Sequence, residues 1–183
     1  IGRPDEVFPP GSMRWGIRTG LDYTHQVVRA HMASIINELF ESFNVDGVEM
    51  DFMRHPTFFK VEDAYANRYL MTDLVRRVRR RMDEVSAATG RSIDLAVRVP
   101  PTLTDSARIG LDVKQWMTED LVDIVIAGAG FIPFETPVDE FVKAAEGTRC
   151  QVYGSVEYLR PAVDDEVIRA IAAHHWDAGA SGI

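Results

Sequence analysis

Apolar side chains recur three and four positions apart at Val28, Met32, Ile35, Ile36, Leu39 and Phe43. That spacing predicts a helix from about Thr24 to Phe43 with one buried face, capped by Asp22 or Thr24. Val45–Met53 then reads as a strand. A loop containing "PTFF" leads into a helix from about Asp63 to Ala88, closed by Gly90. Ile93–Val99 reads as the next strand, halted by Pro100 and Pro101. A short helix over Val113–Glu119 precedes a strand over Val122–Ala127. After the loop "GAGFIPFETP" come a helix over Val138–Ala145 and a strand over Cys150–Glu157. A last helix spans about Asp164 to Ala178, and "SGI" opens another strand. Residues 1–21, rich in Pro, Gly and Arg, read as an irregular loop.

Strands and helices therefore alternate, which predicts a parallel sheet with helical crossovers. Parity along the strands separates an open sheet from a closed one. An open, doubly wound sheet is apolar on both faces, whereas here one face carries charge and small residues. Gly47, Glu49 and Asp51 oppose Val48, Met50 and Phe52. Asp94, Ala96 and Arg98 oppose Ile93, Leu95, Val97 and Val99. Asp123, Val125 and Ala127 oppose Val122, Ile124 and Ile126. Gln151, Tyr153, Ser155 and Glu157 oppose Val152, Gly154 and Val156. This is the pattern of a (β/α)8 barrel with a polar upper layer, of which the chain would supply about five strands.

The ends of the chain fit that expectation. It starts at Ile1 and stops at "GASGI" as a strand begins. The expectation is one domain over residues 1–183, the C-terminal portion of a barrel whose first strands precede Ile1. A preceding segment, or a homo-oligomer, would complete the barrel.

Composition narrows the function. The 183 residues suit one domain with a real core. A formal charge of −8 argues against nucleic acid, which needs concentrated Lys and Arg. The basic run Arg76–Arg81 lies in a helical pattern and reads as a solvated face. No apolar run is long enough to cross a membrane. The single cysteine, Cys150, allows no intrachain disulfide. No His, Asp and Glu spacing resembles a metal site, and "GAGFIP" lacks a nucleotide-binding pattern, so neither metal nor cofactor is expected.

In barrels of this kind chemistry sits at the C-terminal ends of the strands. Asp51, Arg98 and Glu157 fall there, with Glu49 one layer deeper. Two carboxylates from different strands facing one cavity can cleave a glycosidic bond, one as proton donor and one as nucleophile or base. Asp51 and Glu157 are the candidate pair, with Glu49 as a further catalytic candidate that tunes them alongside Arg98. Glu157 as nucleophile and Asp51 as donor is the favoured order, and the reverse stays open. Arg54 and His55 would contact substrate, and Trp15, Phe58, Phe59 and Phe131 would stack on sugar faces. His174 and His175 fall on the last helix, away from the strand tops. A structural ion pair between Glu49 and Arg98 is the bland alternative.

The stretch "LDYTHQVVRAHMASIINELFESFNVDGVEMDFMRHP" resembles the central region of family-10-glycoside-hydrolase-like barrels. "VRVPPTLTDSARIGLDVKQWMTEDLVDIVIAG" and "HHWDAGASGI" are similar to the same group. The resemblance covers most of residues 21–183 and implies a carbohydrate-active barrel. It maps Glu49, Asp51, Arg54 and Glu157 onto the strand-end acids and arginine. The first stretch is also similar to the chitinase-type "DxxDxDxE" strand through Asp46, Glu49 and Asp51. Met53 stands at that pattern's catalytic glutamate, which disfavours a chitinase mechanism. A non-catalytic carbohydrate-binding barrel is the rival reading.

Overall fold

A computed structural model describes residues 20–128, 136–156 and 164–183. They form a mixed α/β structure in two compact units. One unit holds the described residues up to Asp46, His55–Ile93 and Ala107–Asp112. The other holds Gly47–Arg54, Asp94–Ser106 and the described residues from Val113 onward.

The first unit is helical. Helix α1 (Gln26–Ser42) is followed by the short α2 (Val61–Ala64) and by α3 (Arg68–Thr89). The helix expected from Asp63 is thus broken. The break follows Tyr65, whose carbonyl accepts a hydrogen bond from Arg68 at 2.7 Å while Arg68 also pairs with Asp112 at 3.0 Å. Met71, Leu74, Val75, Val78 and Met82 share one buried face of α3, each contributing roughly 1.5–3 kcal/mol by leaving water. The helix ends where Gly90 takes φ 70° and donates its N–H to Ser86, a left-handed cap that glycine adopts without the Cβ penalty.

Two expectations for this unit change. In α1 only Phe40 is buried, while Ile35 and Phe43 are 47% and 66% exposed. Its apolar stripe is wider than the surface that α3 covers. Asp22 does not cap α1 either. Its Oδ1 accepts the N–H and hydroxyl of Thr24 in a turn before the helix, and the N-cap position falls to His25.

The second unit contains four parallel strands in the order β1 (Gly47–Asp51), β2 (Asp94–Val99), β3 (Ile124–Ala127) and β4 (Gln151–Gly154). Where a fifth strand was expected to begin, Gly182 forms an isolated parallel bridge to Tyr153 and Ser181 donates to the Val152 carbonyl. The crossovers carry α4 (Leu103–Arg108), α5 (Val113–Thr118), α6 (Val138–Ala145) and α7 (Asp165–Asp177). Helix α5 packs on α6, and α6 and α7 pack on β4. Leu95, Val97, Val99, Val125, Ala127 and Val152 face the buried side with Trp116, Met117 and Phe141.

Helix α4 was not expected. Pro100 and Pro101 do stop β2, but Thr102 restarts the chain. The Asp105 N–H donates to Thr102 Oγ1, and that hydroxyl donates to Asp105 Oδ2. This is a helix start signalled by a Thr and an acid three positions on.

The face assignment of β3 is corrected. Its register pairs Ile124 with Ala96 and Ile126 with Arg98. Paired residues of parallel strands share a face, so Ile124 and Ile126 join Asp51 and Arg98 while Val125 and Ala127 lie on the buried side. Asp123 misled the parity because it precedes the strand. Its carboxylate accepts the Leu95 N–H at 2.7 Å and meets Arg149 at 3.4 Å.

Candidate functional site

On β1 the more exposed side carries Gly47, Glu49 and Asp51. Register continues the outermost row of that face as Asp51, Arg98, Ile126 and Tyr153. The row lies at the C-terminal end of the strands, where open and closed parallel sheets both place their ligands.

Local sequence fixes Asp51. Immediately after the strand its Oδ1 accepts the Met53 N–H at 2.7 Å, a side-chain turn of the kind aspartate favours. Between them Phe52 points the other way. It is buried, donates its N–H to the Arg98 carbonyl at 3.0 Å, and sets its ring 5.5 Å from that of Trp116. A hydrophobic anchor and a two-residue turn thus aim one carboxylate outward. Its other oxygen, Oδ2, is 4.0 Å from Arg98 Nη1, and the two side chains are 38% and 28% exposed. The carboxylate is held by one backbone donor, lies at ion-pair distance from an arginine, and is accessible to solvent.

The other expected residues divide. Glu49 is exposed one layer deeper, where its register partner is Ala96, so the structure brings Arg98 to Asp51. Arg54 and His55 are exposed on the segment that follows β1. Phe58 and Phe59 are not sugar platforms. Both are buried; Phe58 meets Tyr23 edge-on at 5.6 Å, and Phe59 covers Gly110 so closely that a Cβ there would lie 2.5 Å from its ring. Glu157, Trp15 and Phe131 lie outside the described residues. Tyr153 joins the same row, with its ring lying over Gly182. Three strand spacings put it on the order of 14 Å from Asp51, within reach of a neighbouring unit of an extended ligand.

His175 sits at a strand end after all, but on the buried side. Its ring lies against Gly154, the last residue of β4, where a Cβ would come within 2.3 Å of Cγ and Cδ2. Gly154→Ala should therefore cost about 1–3 kcal/mol through overpacking. Urea unfolding of the variant checks this, and an unchanged midpoint would show that the ring is free to retreat. Burial lowers the His175 pKa from its ordinary value, with the exposed His174 adding to the effect and the Ser155 backbone opposing it. A histidine depressed in the folded state contributes fully above its unfolded pKa of about 6.5 and loses that contribution as pH falls through the folded value. The imidazole proton signals of His175 should titrate with a midpoint below about 6.5, as NMR would show. A midpoint at or above that value removes the argument.

Burial, chiefly, also pushes the Cys150 thiol up to about 12, which leaves it a packing residue. Among the described residues no group of His, Cys, Asp and Glu is arranged to hold a metal. No helix among them is long and apolar enough to cross a membrane.

No family model matches the chain, and no curated protein matches it, so the family-10 resemblance gains no support. Among solved structures the chain is similar to a chitinase from Bacillus thuringiensis, at 14% identity over 72% of this chain and 25% of that one, with a TM-score of 0.49. It is similar as well to a glycoside hydrolase family 18 N-acetylglucosaminidase from Paenibacillus barengoltzii. There the identity is 16% over 86% of this chain and 43% of the other, with a TM-score of 0.46. The chain thus spans less than half the length of either structure. Likeness at this level assigns no residue a role.

Proposed function

We propose that this chain is part of a (β/α)8-barrel glycoside hydrolase in which Asp51 and Glu157 are the two working carboxylates. One observation carries the reading. Asp51 is an accessible carboxylate held at the C-terminal edge of a parallel sheet by a backbone N–H and an arginine. Glycosidic cleavage needs one carboxyl group that gives a proton and one that attacks the sugar carbon or activates water. A backbone donor and a nearby cation both favour the ionised carboxylate, an environment that suits the attacking or base role. Glu157 would then be the proton donor, the reverse of the order favoured from sequence. Arg98 holds Asp51 in place, while Arg54 and His55 contact the sugar. Trp15 and Phe131 keep their proposed stacking role.

A second reading, a barrel that binds carbohydrate without cleaving it, is favoured by Met53. In the sequence pattern it takes the position of the chitinase-type strand's catalytic glutamate, and its N–H donates to Asp51. One experiment separates the two. Asp51→Asn and Glu157→Gln are assayed beside the native protein for release of reducing ends from a panel of poly- and oligosaccharides. Native release that both variants lose supports hydrolysis. Native binding without release supports the second reading, and release unchanged in both variants rejects the assignment.

A further inference from the structure

Helix α3 carries five arginines in six positions, Arg76, Arg77, Arg79, Arg80 and Arg81, in a chain whose net charge is −8. Like charges three and four residues apart on a helix repel by a few tenths of a kcal/mol per pair unless something offsets them. Three of the five have acids on their own helix. Arg76 pairs with Asp73 at 3.0 Å, Arg79 with Asp83 at 3.6 Å and Arg81 with Glu84 at 3.2 Å. Arg81 also reaches Glu41 of α1 at 3.7 Å. Arg77 and Arg80 have no ion pair among the described residues.

These two arginines are exposed, as a solvated helix face requires, and they also border a cleft. They line a cavity of about 370 Å³ between α1 and α3, together with Arg81, Asn37, Ala30 and Ala33. The space exists because α1 presents alanines opposite long side chains, with Val78 at its base. A water's share of the liquid is roughly 30 Å³, so the cavity has room for a tetrahedral oxyanion and several waters. The polar groups at its wall are mostly donors. Arginine presents a planar fork of N–H groups that matches phosphate and sulfate oxygens, and the Asn37 amide adds two more N–H groups. The Ser34 hydroxyl donates to the His31 carbonyl, and Glu84 is engaged with Arg81. The arginines therefore exceed the one acid of the wall.

From this we infer that the α1–α3 cavity binds a small oxyanion, a phosphate or sulfate group, through Arg77 and Arg80. It is a site separate from the proposed glycosidase chemistry and does not depend on it. The two sources of such a group, a phosphate ester and a sulfate ester, share the tetrahedral oxyanion, and inorganic phosphate and sulfate serve as probes.

Titration calorimetry of the native protein with each anion, at ionic strength held constant with chloride, tests the inference. Saturable binding of either anion is expected, with the tighter of the two naming the source. Arg77→Ala/Arg80→Ala should weaken it at least tenfold, and Arg169→Ala, on the exposed face of α7, should leave it unchanged. Both substituted arginines are exposed, so the variant's melting curve should match the native one and certify its fold. Absence of saturable binding beyond the chloride background overturns the inference, as does equal binding by the double variant.

Discussion

Asp51→Asn should leave the protein folded while lowering glycan turnover by about 10²- to 10⁴-fold, the range spanned by removal of a positioned acid or base. The substitution conserves shape. The amide oxygen can still accept the Met53 N–H, and Phe52 keeps its place beside Trp116. What is lost is the negative charge facing Arg98 on a group 38% exposed, where an isolated ion pair contributes only about 0–1 kcal/mol to stability. Stability and activity should therefore separate. Turnover within a few-fold of native, in a preparation whose melting curve is also native, would remove Asp51 from the chemistry. A lowered melting temperature accompanying lost turnover would reassign it to a structural role.

Trp116→Ala should show the opposite profile, a loss of stability of about 3–5 kcal/mol. The indole is fully buried on α5, and the ring of Phe52 lies 5.5 Å away. Truncation removes the transfer energy of the largest fully buried side chain among the described residues and leaves a void that backbone tied into a sheet cannot close. Because Phe52 directly follows Asp51, the loosened ring should also let the carboxylate wander, so residual activity falls further than the folded fraction. Urea denaturation measures the first effect. Trp176→Ala, at a site 50% exposed, should stay within about 0.5 kcal/mol. A cost below about 1 kcal/mol at position 116 would mean that the core there refills, outside the range seen for buried aromatic truncations.

The parts of the fold that were legible are those where local chemistry and packing agree. Val138–Ala145 is a helix over the very residues expected, and Gly90 closes α3 as the sequence indicates. Strand β2 shows its alternation because its polar positions, Asp94 and Arg98, really do face away from the core. Where a marker residue serves another purpose, the reading fails. Asp123 looked like an inward strand residue but ties the start of the sheet together. Pro100 and Pro101 drew attention from the capping signal at Thr102 and Asp105. Phe58 and Phe59 sit in a loop-like sequence yet are core, because a loop that closes over Gly110 needs its own apolar filling. The breadth of exposed apolar surface on α1 had no signature, since periodicity reports which side chains share a face and not what covers it.

For the candidate site, position was easier to read than role. Parity along β1 and β2 located Asp51 and Arg98 on one face. It could not show that Asp51 is pinned by a main-chain donor two residues ahead, and that detail bears most on the role proposed for it.

That pinning turn has an energetic consequence for affinity. A side chain that must be immobilised by its ligand subtracts about 0.5–1.5 kcal/mol from binding when it is rich in rotamers. Asp51 loses its torsional freedom as the chain folds, through a bond contained within three consecutive residues. A ligand binding there would therefore meet a carboxylate already aimed and would pay little to order it.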